Sequence, residues 1–148
     1  MVRARKSLLD GLGEHPIVVV DTAPIIYWLE GHPRLAERFA AVFEAAESDD
    51  ATVVISTVTL AEVLAGPLRA ANELLTARYR EALTRSPGWQ VMPVDVDLAV
   101  EAARVRAAYR LRLPDAIQVA TTIRAGASAL VTHDRALRRV RGLRVVGP

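Results

Sequence analysis

Two kinds of apolar pattern alternate along this chain. Short stretches dense in aliphatic residues occur as "PIVVVD" from Pro16 to Asp21, "ATVVIS" from Ala51 to Ser56, "GWQVMPVD" from Gly88 to Asp95, "SALVTH" and a final "LRVVG". Runs of this kind suit parallel strands covered on both faces. Between them apolar residues recur every three or four positions, the period of a helix with one buried stripe. "TAPIIYWLEG" opens at Thr22 with Pro24 in its first turn and stops at Gly31, and "PRLAERFAAVFEAAE" places Leu35, Phe39, Val42 and Phe43 on one face. "TVTLAEVLAG" reads as a helix closed by Gly66 and Pro67, with an Ala/Leu/Arg-rich helical stretch after it to about Arg85. "VDLAVEAARVRAAYRL" buries Leu98, Ala102, Val105 and Tyr109, "PDAIQVATTIRAGA" runs from Pro114 to near Gly126, and "DRALRRV" makes a short helix. Strands alternating with helices in this way predict an α/β sandwich around a mostly parallel sheet. In such sheets function sits outside the carboxyl ends of the strands.

Composition narrows this reading. A chain of 148 residues, 51% apolar, with eight glycines, eight prolines and no biased tract, is expected to fold as one domain with a single core. The pattern divides it into an N-terminal extension, residues 1–15, and a domain over residues 16–148. The basic start "MVRARKSLLDGLGEHP" has only a pair of leucines before Asp10 and two glycines, which is no signal-peptide core. No later stretch reaches the ~20 apolar residues of a membrane span, so a cytoplasmic protein with no membrane contact is expected. Cysteine is absent, which excludes disulfides, thiolate metal sites and cysteine nucleophiles and leaves oxygen or imidazole as metal ligands. Net charge is +2 but unevenly spread: nine Lys/Arg face fifteen Asp/Glu through Glu101, and ten Arg face two acids from Ala102 onward. Only Lys6 is lysine among the nineteen basic residues, a bias that suits bidentate phosphate contacts and equally follows from base composition of the gene.

Four acids stand out by position: Asp21 ends the first strand, Glu62 follows the second, Asp115 opens the helix after Pro114, and Asp134 follows the fourth strand. Each also has a local reading. Asp21 and Asp134 suit helix N-caps, Glu62 completes a capping-box pattern with Thr59, and Asp115 complements a helix dipole. Taken together they change the balance, because a parallel sheet brings strand ends and helix starts to one edge. Carboxylates gathered there must hold protons or bind a hard cation, and Mg²⁺ or Mn²⁺ takes such oxygen ligands. The expectation is one pocket holding all four acids and supporting metal-assisted phosphoryl chemistry. Asp95 and Asp97 precede a helix, where capping suffices.

These residues resemble the PIN-domain ribonucleases, and among them the VapC toxins of bacterial toxin–antitoxin pairs. The likeness runs through "VVVDTAPIIYWLEGHP", "ISTVTLAEVLAGP" and "LRLPDAIQVATTIRAGASALVTHDRAL", from Pro16 to Leu137. Asp21 with Thr22 matches the strand-ending Asp, Glu62 the Glu of a "T-x-x-E" helix, Asp115 the Asp of a "D-A-x-I" helix, and Asp134 the Asp of a "T-N-D" segment. The resemblance implies a three-layer α/β/α fold and a metal-dependent ribonuclease, usually a homodimer, that hydrolyses RNA to 5′-phosphate and 3′-hydroxyl ends. It makes Asp21 and Asp115 the principal Mg²⁺ or Mn²⁺ ligands, with Glu62 and Asp134 completing the acidic cluster. It further implies a cognate antitoxin that lays apolar side chains along the first helices and a basic side chain into the acids. His133 stands where the family commonly has Asn.

Thr22 and Thr132 lie beside the acids and are candidate RNA contacts, suiting either carboxylate and water orientation or helix capping. Arg112 is placed to touch a substrate phosphate, and Arg135, Arg138 and Arg139 are spaced for one helical face. Tyr27 and Trp28 are read as core or dimer contacts rather than base platforms, and part of Ile25, Ile26, Tyr27, Trp28 and Leu29 is expected to be exposed. Ala23 occupies the position where a haloacid-dehalogenase-type phosphatase needs a second Asp. A receiver domain needs a late lysine, which this chain lacks. A non-catalytic RNA- or protein-binding module on the same fold is the alternative function.

Overall fold

The computed structural model describes residues 7–148. Five strands, β1 (Ile17–Val20), β2 (Thr52–Ser56), β3 (Trp89–Met92), β4 (Ala129–Val131) and β5 (Val145–Val146), form one sheet in the order β3-β2-β1-β4-β5. Every pairing is parallel. Six α-helices accompany it: α1 (Thr22–Leu29), α2 (Leu35–Glu47), α3 (Thr57–Arg69), α4 (Glu73–Arg85), α5 (Val96–Tyr109) and α6 (Leu113–Arg124).

The aliphatic runs are strands because both faces of the sheet are covered. In β1, Val18 and Val20 pack with Ile25, Phe39, Phe43, Val63 and Leu83 from α1 to α4. Val19, on the other face, joins Leu98, Val105, Ile117 and Val119 from α5 and α6. All three valines are fully buried. Burial of each such side chain stabilises the fold by about 1.5–3 kcal/mol. The three layers are thus α1–α4, sheet, and α5–α6. Gly88 enters β3 at φ +78°, and any Cβ there would strike the Ala46 carbonyl. Its own carbonyl accepts from Val53 N at 2.7 Å, which ties that turn to β2.

Local signals were overridden in two places. Gly66 and Pro67 do not close α3, which continues to Arg69 with the Pro67 ring buried. That packing offsets the hydrogen bond a proline cannot donate. The break falls later, at 70–72, where Asn72 accepts from Leu75 N at 3.0 Å and starts α4. The segment Arg135–Arg139 is a 3-10 helix with Leu137 buried. With three residues per turn, Arg135 and Arg138 share a side and Arg139 does not, so the expected three-arginine face is not formed.

Of the N-terminal extension, residues 1–6 lie outside the described residues; residues 7–15 make turns in which Leu12 enters the core beside β1. No helix of the described residues is long and apolar enough to cross a membrane.

Candidate active site

The sheet order reverses between β1 and β4, and the crevice outside the carboxyl ends of two such strands is where open α/β sheets bind ligands. Asp21 sits there. Its backbone N donates to Val131 O at 2.9 Å, locking the end of β1 to the end of β4. Its side chain caps α1, accepting from Thr22 N at 2.8 Å. Two further donors reach it from distant elements: Thr132 Oγ1 at 2.8 Å and Gln118 Nε2 at 3.2 Å. Thr132 also accepts from Asp134 N at 3.0 Å, and Asp134 in turn caps the 3-10 helix through Ala136 N at 2.9 Å.

On the other side, Glu62 is exposed and accepts from Thr22 Oγ1 at 3.0 Å. Its capping-box reading is corrected: the N-cap of α3 is Ser56, which accepts from Thr59 N, and Glu62 lies well inside the helix. Asp115 stands in the first turn of α6, presented there because α5 ends at Arg110 in the left-handed conformation and the chain turns at once. Its side chain is only 13% exposed, and Arg112 Nε approaches it at 3.3 Å. Burial raises the Asp115 pKa above the ordinary carboxylate value; Arg112 pulls against this, and the charges of Asp21 and Asp134 push further up.

Asp21, Glu62, Asp115 and Asp134 line a single cavity of about 440 Å³, together with Thr22, Ala23, Ile26, Tyr27, Arg112, Pro114 and His133. Among the described residues no group of three or more His, Asp or Glu side chains is placed to hold a metal ion, so the expected acidic cluster is not closed up around one point. The donors are nevertheless the right kind for a hard cation, and the charges of Asp21 and Asp134 both act on Asp115.

Other expectations sort differently. Thr132 is buried, its hydroxyl engaged by Asp21 and Asp134, so it positions the acids and does not reach a substrate. Arg112 lines the cavity with a side chain 81% exposed, whereas Arg135, Arg138 and Arg139 lie outside it. Asp95 caps α5 and pairs with Arg124, as capping alone required. Ile25 is fully buried, while Ile26, Tyr27, Trp28 and Leu29 are half-buried. Tyr27 lines the cavity; Trp28 stacks on Phe43 with ring centroids 4.5 Å apart.

Gln118 escaped the sequence reading. It is buried one turn beyond Asp115, and its amide nitrogen bridges Asp21 and Thr59, the latter at 2.7 Å, while Oε1 has no partner among the described residues. A polar residue inside the apolar stretch "AIQVA" was the available signal.

A family model described as the PIN domain matches residues 18–143. Comparison with curated protein sequences returns no match. Among solved structures, VapBC2 from Rickettsia felis bound to a promoter DNA fragment is similar at TM-score 0.71 and 16% identity, over 88% of this chain and 98% of that one. A toxin–antitoxin complex from Klebsiella pneumoniae is similar at TM-score 0.65 and 25% identity, over 85% and 94%. The sarcin-ricin loop cleaving toxin VapC20 of Mycobacterium tuberculosis is similar at 0.65 and 16%, over 86% and 98%.

Proposed function

This chain belongs to the PIN-domain family, and from that premise we propose that it is a Mg²⁺- or Mn²⁺-dependent ribonuclease acting as the toxin of a toxin–antitoxin pair in the cytoplasm. The observation that carries the reading is the meeting of four carboxylates, from four separate elements, on one cavity at the switch point of the sheet. Asp21 and Asp115 would hold the ion, with Glu62 and Asp134 beside them. Mg²⁺ keeps several of its waters and commonly uses one or two carboxylates with substrate phosphates, so an open arrangement of acids suits it. When bound, such an ion supplies a water of lowered pKa and polarises the scissile phosphate. The protein's own residues do the positioning. Thr22 holds Glu62, Thr132 and Gln118 hold Asp21, and the exposed guanidinium of Arg112 is free to turn from Asp115 to a phosphate.

A partner fits the same reading. The similar structures from Rickettsia and Klebsiella are toxin–antitoxin assemblies, and the half-buried apolar side chains of α1 leave surface for an antitoxin segment or a second copy of the chain. A basic side chain of the antitoxin would enter the acids for the same reason a cation does. One observation favours the non-catalytic alternative: Arg112 already pairs with Asp115, as a site that never holds an ion would require. Cleavage of single-stranded RNA by the purified chain separates the two. Cleavage is expected with Mg²⁺ or Mn²⁺, and none with excess chelator or after Asp21→Asn. Undiminished cleavage in chelator sinks the metal assignment, and no cleavage with any divalent ion, together with harmless expression in cells, leaves the binding module.

A further inference from the structure

The cavity has a second kind of wall. Beside the acids it is lined by Tyr27 and His133, whose ring centroids lie 5.9 Å apart at 78°. Phe39, fully buried, backs Tyr27 at 6.3 Å with the rings near parallel, and meets His133 edge-on at 6.4 Å. Tyr27 is therefore held in place by the core. His133 is exposed, and its one polar contact among the described residues is the Tyr27 hydroxyl, 3.4 Å from Nδ1. Neither neighbouring ring is stacked face to face on the imidazole. Its backbone is anchored on both sides, by Thr132 bound to Asp21 and by Asp134 bound to Thr132.

Without a bound cation, four carboxylates and one arginine make this cavity repel a phosphate chain, so attraction for a nucleotide that does not depend on charge adds to what an ion would supply. Unpaired bases supply it by stacking on aromatic and histidine side chains. We propose that Tyr27 and His133 form the platform on which the nucleobase next to the scissile phosphate stacks, making them substrate-positioning residues of the ribonuclease site proposed above. The imidazole offers the stacking surface and Tyr27, braced by Phe39, sets its angle. Core packing accounts for Tyr27 and Phe39, yet leaves the exposed ring of His133 without a role.

Fluorescence-anisotropy binding of labelled single-stranded RNA to the full chain carrying Asp21→Asn, which stops turnover, tests this. Adding His133→Ala is expected to weaken binding about 5- to 100-fold, the range of a lost base stack, with the melting temperature unchanged. His133→Phe, which keeps a ring and loses both nitrogens, is expected to restore binding. An abasic nucleotide walked along the RNA should cost the parent the same factor at one position and cost His133→Ala nothing more there. Equal binding by the His133→Ala protein, no rescue by Phe, or an abasic penalty unchanged in His133→Ala overturns the platform while RNA binding itself stands. A parent protein that binds no RNA overturns the ribonuclease reading, and the platform with it.

Discussion

Asp21 and Asp115 face the same cavity from opposite conditions. Asp21 accepts three hydrogen bonds, from α1, α6 and the strand end at Thr132, each between 2.8 and 3.2 Å. Among the described residues Asp115 has only Arg112, three residues away, whose side chain is mostly in water. One half of the site is fixed by hydrogen bonds from three elements, and the other half is held by a single exposed partner. That division suits a site whose cargo is charged. On the proposed function, the fixed carboxylate would define where a cation goes, and a carboxylate with a raised pKa beside an exposed arginine would let it come and leave.

Loosening the fixed half should have the largest effect. Gln118→Leu removes the donor that spans Asp21 and Thr59 while keeping the volume, and it deletes the unpartnered Oε1 as well. Metal-supported cleavage is expected to fall about 10- to 100-fold, as for other partners that orient a metal ligand. Thermal stability should fall modestly, because two hydrogen bonds are lost and removal of one buried orphan offsets only part of that. A large fall in melting temperature with activity per folded molecule intact would make Gln118 a purely structural residue.

Asp115 gives a smaller effect, read in stability. Because its pKa is raised in the folded chain, the folded state holds the proton more tightly than the unfolded one. Its contribution to stability therefore falls as pH rises from the ordinary carboxylate value of 3.8 through the raised value, and is constant above. Asp115→Asn should melt at a higher temperature than the native chain at neutral pH, with the advantage vanishing below the ordinary carboxylate range. Melting curves against pH check the sign, and a variant less stable at neutral pH would show that Asp115 is held by interactions beyond Arg112.

Smallest should be Arg112→Ala. An exposed pair contributes no more than about 1 kcal/mol, so melting should shift by only a few degrees. The Asp115 pKa should rise further once the opposing charge is gone, measurable by carboxyl NMR titration. An unchanged Asp115 pKa would mean the guanidinium does not sense that carboxylate in solution.

Much of this molecule was decided locally. The runs "IVVV" and "TVVIS" are strands wherever both faces are covered, and the apolar stripes of α2 and α5 bury as spaced except for Leu35 and Tyr109, which are half-buried. The four acids were legible because each lies at a strand end, on the helix that follows one or, for Asp115, in the first turn of a helix, positions that a parallel sheet can gather at one edge. Sequence periodicity reports which face a residue turns to the core, so it located the elements and not their partners. Only the tertiary structure decided the rest. Pro67 stays in α3 because its ring is buried, and Arg139 leaves the expected face because the last short helix winds as a 3-10 turn. Thr132 and Gln118 serve Asp21 across 111 and 97 residues of chain. Those contacts exist because β1 pairs with β4 and α6 packs on both strands, a register set by the packing of the whole sheet and written in no single segment.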